Sequence, residues 1–163
     1  MIIEKVTRNN LLLIQELAYD IWPKTYSEII SAAQIAFMLD TMYAVEILEQ
    51  QFNLGHHFLM AKNDTKYIGF AHFQENYSKP QQTKLHKIYF LHETQGNGFG
   101  KIMINFIVDF IKQGDQKTLI LNVNKFNKAV DFYKKIGFEV DKEEIIELGN
   151  GFIMDDFVMK LQL

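Results

Sequence analysis

The run LHKIYFLHETQGNGFGKIMINFIVDF, residues 85–110, places a β-rich apolar stretch, a loop with three glycines in five positions and an amphipathic stretch end to end. From Phe99 onward, the apolar residues at 99, 102, 103, 106, 107 and 110 recur with helical period, and Gly114-Asp115 supplies a stop. A strand that delivers glycines to the start of a helix presents unpaired backbone N–H groups, and the helix dipole favours negative charge there. The unit is therefore an anion site, most often for phosphate. Three phosphate motifs compete for it. The P-loop needs a serine or threonine after its lysine, but Lys101 is followed by Ile102. A dinucleotide fingerprint needs G-x-G-x-x-G, whereas Gly96, Gly98 and Gly100 are spaced G-x-G-x-G. The third pattern, Gln/Arg-x-x-Gly-x-Gly/Ala, is matched by Gln95, Gly98 and Gly100.

The flanking elements follow from periodicity. IIEKVT (2–7) reads as a strand, and Ile14, Leu17, Ala18 and Ile21 form one helical face that Trp22-Pro23 is expected to interrupt, because a residue before proline avoids the helical region. Ser31 and Gln34 have capping-box spacing ahead of a helix buried through Ile35, Met38, Leu39 and Met42. A short helical piece, 44–52, follows. HFLMA and YIGFAHF are two strands turning at Asn63-Asp64. TLILNV (118–123) is a strand, KAVDFYKKI (128–136) a helix closed by Gly137, and FEV and GFIMDDFVMKLQL two last strands. Strands and helices alternate only in the second half. The fold class is therefore mixed α/β, with a parallel part around the glycine unit and antiparallel hairpins beside it.

At 163 residues, 48% of them apolar and 23% charged, the chain suits one globular domain, 1–163. With no cysteine, thiolate nucleophiles and Cys-based zinc sites are excluded, which suits a reducing, cytoplasmic setting. The start, MIIEKVTRNN, has no apolar run of signal-peptide length, and no stretch approaches the ~18 apolar residues of a membrane span. A net charge of −3 with interspersed signs offers neither a nucleic-acid stripe nor a polybasic membrane patch. His56, His57 and His72 are scattered without ligand spacing, so no metal site is expected.

The whole stretch KIYFLHETQGNGFGK, followed by NKAVDFYKKIGFEV with its Tyr-x-x-x-Gly-Phe ending, resembles the GNAT superfamily of acetyl-CoA-dependent N-acetyltransferases. The likeness in element order covers residues 2–161. IWPKTYSEII and MDDFVMKL resemble a bacterial branch that includes polyamine acetyltransferases of the PaiA type. The resemblance implies a central, mostly antiparallel sheet of six to seven strands with helices on both faces. It also implies acetyl-CoA as cosubstrate, no metal, a small-molecule amine acceptor and, as in many relatives, a homodimer. Carried over by position, the pantetheine arm falls on the backbone of Tyr89, Phe90 and Leu91. The pyrophosphate falls on Gln95, Gly96, Asn97, Gly98, Phe99, Gly100 and Lys101. A backbone N–H near Phe90 would stabilise the thioester oxyanion.

Amine acetylation requires a deprotonated amine, yet an alkylamine with a pKa of ~10 is almost wholly protonated at neutral pH. Tyr133 matches the family tyrosine that protonates the departing sulfur; its alternative is packing beside Phe132 and Ile136. The slot that holds a glutamate base in the histone-acetylating branch holds Lys84 here. His86, two residues on and on the same strand face, is a candidate base with an ordinary pKa of ~6.5; an ordered water chain is the alternative. The family asparagine slot holds Phe126, so the resemblance leaves Asn124 or Asn127 to reach CoA, with Asn127 the one chosen and helix capping the alternative role. Trp22 and Tyr26 are candidate substrate-binding residues that would hold an alkylammonium by cation–π contact, or else core residues. Glu28 and Asp155-Asp156 are candidates for selecting a cationic end group. A non-catalytic acyl-CoA-binding sensor or regulatory module is the competing class. A protein amino terminus, a lysine or an aminoglycoside are alternative acceptors.

Overall fold

Ser31 shows how local chemistry sets the first elements. Its extended backbone and a side-chain oxygen that accepts the Gln34 N–H at 3.1 Å start a helix at the next residue. The computed structural model describes residues 1–163. The elements run β1 (Ile2–Lys5), α1 (Leu11–Tyr26), α2 (Ala32–Tyr43), α3 (Val45–Asn53), β2 (His57–Asn63), β3 (Lys66–Gln74) and β4 (Gln82–Phe90). They continue with α4 (Phe99–Gln113), β5 (Thr118–Asn124), α5 (Ala129–Lys135), β6 (Glu139–Gly149) and β7 (Phe152–Gln162). The strands form a seven-stranded mixed sheet in the order β1-β2-β3-β4-β5-β7-β6. No helix is long and apolar enough to cross a membrane.

The chain divides into two compact units, Met1–Gln74 with Lys87–Phe106 and Glu75–His86 with Ile107–Leu163. In the first, β1, β2 and β3 are antiparallel, and the β2–β3 hairpin turns at Asp64, whose φ of 53° is the left-handed geometry such a turn needs. Its core includes Ile14, Ala18, Ile21, Met38, Leu39, Tyr43, Leu48, Phe58 and Phe70. In the second, β4 and β5 run parallel, pairing Gln82 with Thr118 through Leu85 with Leu121. β7 lies antiparallel between β5 and β6.

Three expectations change. α1 does not stop at Trp22 but continues through Pro23 to Tyr26. The proline sits in the last turn, where Ser27 still donates to its carbonyl at 3.2 Å, and Trp22 and Tyr26 on either side are both buried, so packing outweighs the lost backbone bond. β6 is far longer than FEV, reaching Gly149, because β7 pairs with it along its length and a left-handed Gly149-Asn150-Gly151 turn joins them. Its many charged residues suit a sheet edge. In α4 the buried positions are Met103, Ile104, Ile107 and Ile111, whereas Ile102 and Phe106 are exposed.

Candidate active site

The junction between β4 and α4 is built from backbone geometry. Gly96 and Gly98 have φ of 84° and 76°, and a side chain added at either would meet nothing within 4 Å. The left-handed backbone, not crowding, is what demands glycine there. The Ile102 N–H donates to Gly98 at 3.2 Å, which leaves the N–H groups of Phe99, Gly100 and Lys101 ahead of the first helical bond. Gln95 through Gly98 are exposed, as is Lys101, and Asn97 braces the turn by donating to the Thr94 carbonyl at 3.0 Å. A solvent-facing ring of donors, with a lysine beside it and open space above each glycine, fits a pyrophosphate.

Just before it, the end of β4 is held from both sides. Tyr89 turns to α1, its hydroxyl 2.9 Å from that of Tyr26, whereas the Phe90 ring meets Phe99 of α4 with centroids 6.2 Å apart. The Leu91 N–H donates to Ile68 at 2.8 Å. Gly69 on β3 makes this approach feasible: a Cβ there would lie 2.5 Å from both Phe90 Cδ1 and the Tyr89 carbonyl oxygen.

Trp22 and Tyr26 lie in an aromatic cluster rather than on the surface. The Trp22 ring is 4.7 Å from Tyr26 and 5.7 Å from Tyr89, and its indole N–H donates to the Tyr43 hydroxyl at 2.9 Å. The same cluster holds Lys87, a 9%-exposed lysine with its Nζ 4.9 Å from the Tyr43 ring centroid and its pKa lowered by burial to about 8. Among the histidines, His56 and His72 are not scattered: Nδ1 of one is 2.8 Å from Nε2 of the other, and His72 stacks on Phe58. Sequence spacing misses this pair because it forms between α3's exit and β3.

Tyr133 lies buried on α5, its ring against Phe132 and edge-on to Phe138. Asn127 accepts the Ala129 N–H at 2.8 Å, and Asn124, buried at the end of β5, accepts the Phe126 N–H at 3.0 Å; both side chains brace the loop into α5. Phe126 is 75% exposed. His86 and Lys84 do share a face of β4. Tyr77 touches both, edge-on to the His86 ring at 5.5 Å and with Lys84 Nζ 5.7 Å from its centroid.

On that face a charged row escaped sequence reading. Lys84 donates to Asn122 Oδ1, and Asn122 Nδ2 donates to Glu144 at 3.0 Å and hydrogen-bonds Asp156. Lys84 is 8% exposed, and burial lowers its pKa to about 8 against the pull of Glu144 and Asp156. Asp156 is 4% exposed and raised to about 6, chiefly by burial. Its neighbour Asp155 points elsewhere, paired with Lys125 at 2.5 Å. The legible signal was the alternation in TLILNVN, which puts Asn122 and Asn124 on one strand face.

The strand–glycine loop–helix unit fits the phosphates of an acyl-CoA, and comparison with known proteins gives the family. Residues 26–161 match the family described as acetyltransferase (GNAT) domain, and the chain belongs to that family. It is 29% identical over 93 residues to an uncharacterized N-acetyltransferase of Methanocaldococcus jannaschii, covering 54% of this chain and 41% of that one. It is 36% identical over 92 residues to the [ribosomal protein bS18]-alanine N-acetyltransferase of Haemophilus influenzae, covering 55% of this chain and 61% of that protein. The matched part thus spans less than two thirds of either curated relative's length. Among solved structures, PaiA N-acetyltransferase from Thermoplasma acidophilum, in complex with coenzyme A, is similar over 100% of both chains with a TM-score of 0.81 and 26% identity.

Proposed function

We propose that the chain transfers the acetyl group of acetyl-CoA to a primary amine, a small amine or polyamine, by direct attack in a ternary complex. The observation that carries this reading is the pair of left-handed glycines opening α4, with unbonded helix N–H groups behind them and Lys101 alongside. Gln95 to Lys101 hold the pyrophosphate, and Lys101 adds a point charge. The backbone of Tyr89, Phe90 and Leu91 takes the pantetheine amides, with Asn127 beside the loop into α5. Bound acetyl-CoA supplies an activated acyl group. Tyr133 gives a proton to the departing sulfur, and the ammonium loses its proton on the β4 side of the sheet, where His86 on the strand and an ordered water chain are the routes the sequence offers. The likeness to a PaiA N-acetyltransferase structure that holds coenzyme A supports the cosubstrate.

A peptide amino terminus is the second acceptor class, favoured by the 36% identity to an enzyme named for ribosomal-protein alanine. The absence of cysteine excludes an acetyl-cysteine intermediate and suits a cytoplasmic setting. Tyr133→Phe tests the chemical assignment. Turnover is expected to fall about 10–100-fold with acetyl-CoA affinity within about twofold of wild type, the range for loss of a general acid. Unchanged turnover would return Tyr133 to the core.

A further inference from the structure

We infer that Asp156 is the proton acceptor for the amine substrate, with Lys84 and Asn122 as its positioning residues. This rests on the acetyltransferase reading and deepens it.

The geometry comes from four strands. Asp156 on β7 pairs with Asn124 on β5 and Glu144 on β6, and Lys84 on β4 pairs with Ile120 two residues before Asn122. Strand alternation therefore places Lys84, Asn122, Asp156 and Glu144 on one face, and their hydrogen bonds link them there. Asn122 accepts from Lys84 through its oxygen and donates to Glu144 through its nitrogen, so its orientation is fixed. Asp156 is 96% out of solvent, and its Oδ1 is buried with no hydrogen-bond partner in the protein. A buried carboxylate oxygen left without a donor is costly, and an ammonium N–H supplies the missing donor. Glu144, whose side chain is 35% exposed, carries the row to solvent and draws a cationic acceptor toward it.

The charges facing Asp156 tune it for the task. Burial raises its pKa, Glu144 on β6 and adjoining Asp155 raise it further, and the Asn122 hydrogen bond and the Lys84 charge lower it. Lys142 on β6 pairs with Glu144 at 2.8 Å, and Tyr77 lies beyond Lys84. At about 6 the carboxylate is mostly ionised at neutral pH yet more basic than an ordinary aspartate. In the reaction Asp156 takes one proton from the ammonium. The freed lone pair forms the C–N bond to the acetyl carbonyl, the C–S bond breaks, Tyr133 protonates the departing thiolate, and the nitrogen's second proton passes through solvent to restore Tyr133. The protonated Asp156 then returns its proton to solvent, for one proton released per turnover.

The test combines amine-dependent thiol release against pH with carbon-13 carboxylate NMR of the free protein. Asp156→Asn is expected to lower kcat by about 100-fold with acetyl-CoA affinity unchanged, the size of a lost general base. Wild type should show an acid limb in kcat/KM near pH 6, matched by an NMR titration absent from Asp156→Asn. Lys84→Met should move both the limb and the titration to higher pH, which keeps the idea open to refutation if Asp156→Asn fails to fold. An active wild type whose acid limb and Asp156 titration ignore Lys84→Met, or a folded Asp156→Asn with near-normal kcat, overturns the assignment and leaves the acetyltransferase reading standing. A wild type that releases thiol with no amine removes both.

Discussion

Lys87 lies over the ring of Tyr43, Nζ 4.9 Å from the centroid, inside the cluster that also contains Trp22, Tyr26 and Tyr89. The cluster whose Trp22 and Tyr26 rings sequence spacing offers to a substrate's alkylammonium thus already holds an ammonium of the chain's own, over Tyr43. Cation–π contact returns about 2 kcal/mol or somewhat more when desolvated, less than a buried lysine loses in hydration, and the depressed pKa of Lys87 reflects that deficit.

A stability profile follows. Because the folded pKa of about 8 lies below the ordinary 10.5, the unfolded chain binds more protons between those values, and stability rises with pH across that window. The penalty is fully present below pH 8 and gone above 10.5. Lys87→Met is expected to be about 1–3 kcal/mol more stable than wild type at pH 7, with the difference vanishing by about pH 10.5, as read by urea unfolding. Lys84, also lowered to about 8, contributes a similar slope to both proteins, so the difference between them isolates Lys87.

Gly69→Ala tests the close approach of β3 to the end of β4. With two contacts at 2.5 Å, one of them backbone, the strands must part or the Phe90 ring must turn away from Phe99. The expected loss is about 1–3 kcal/mol by denaturant midpoint. Weaker acetyl-CoA binding is expected too, since Tyr89 to Leu91 shift with the strand. A variant as stable as wild type would show that the approach is loose.

The glycine loop is probed by a matched pair. At Gly98, φ 76°, asparagine tolerates the left-handed backbone better than most residues, and aspartate differs from it by one charge. Gly98→Asp is expected to weaken acetyl-CoA by at least about 10-fold more than Gly98→Asn, measured by calorimetry at low salt, with the gap narrowing as salt rises. Equal affinities would remove the pyrophosphate from this loop.

What the sequence makes legible, and what it does not, divides along physical lines. Ser31 capping, the Asp64 turn and the glycine loop depend on neighbours a few residues away, and all are visible as residue types at fixed offsets. Pro23 inside α1 and the length of β6 are decided by tertiary packing, which local propensity cannot see. Lys84 and Lys87 look like surface residues because lysine usually is one. Their burial, the His56–His72 contact and the row ending at Asp156 exist only once distant strands are side by side.

The most direct test of the central claim is thiol release from acetyl-CoA in the presence of an amine panel that spans diamines and polyamines, aminoglycosides and peptides with a free amino-terminal alanine. Amine-dependent release is expected, fastest with a small amine or polyamine. Tight acetyl-CoA binding with no release above background for any amine would contradict the account and make the chain an acyl-CoA-binding module.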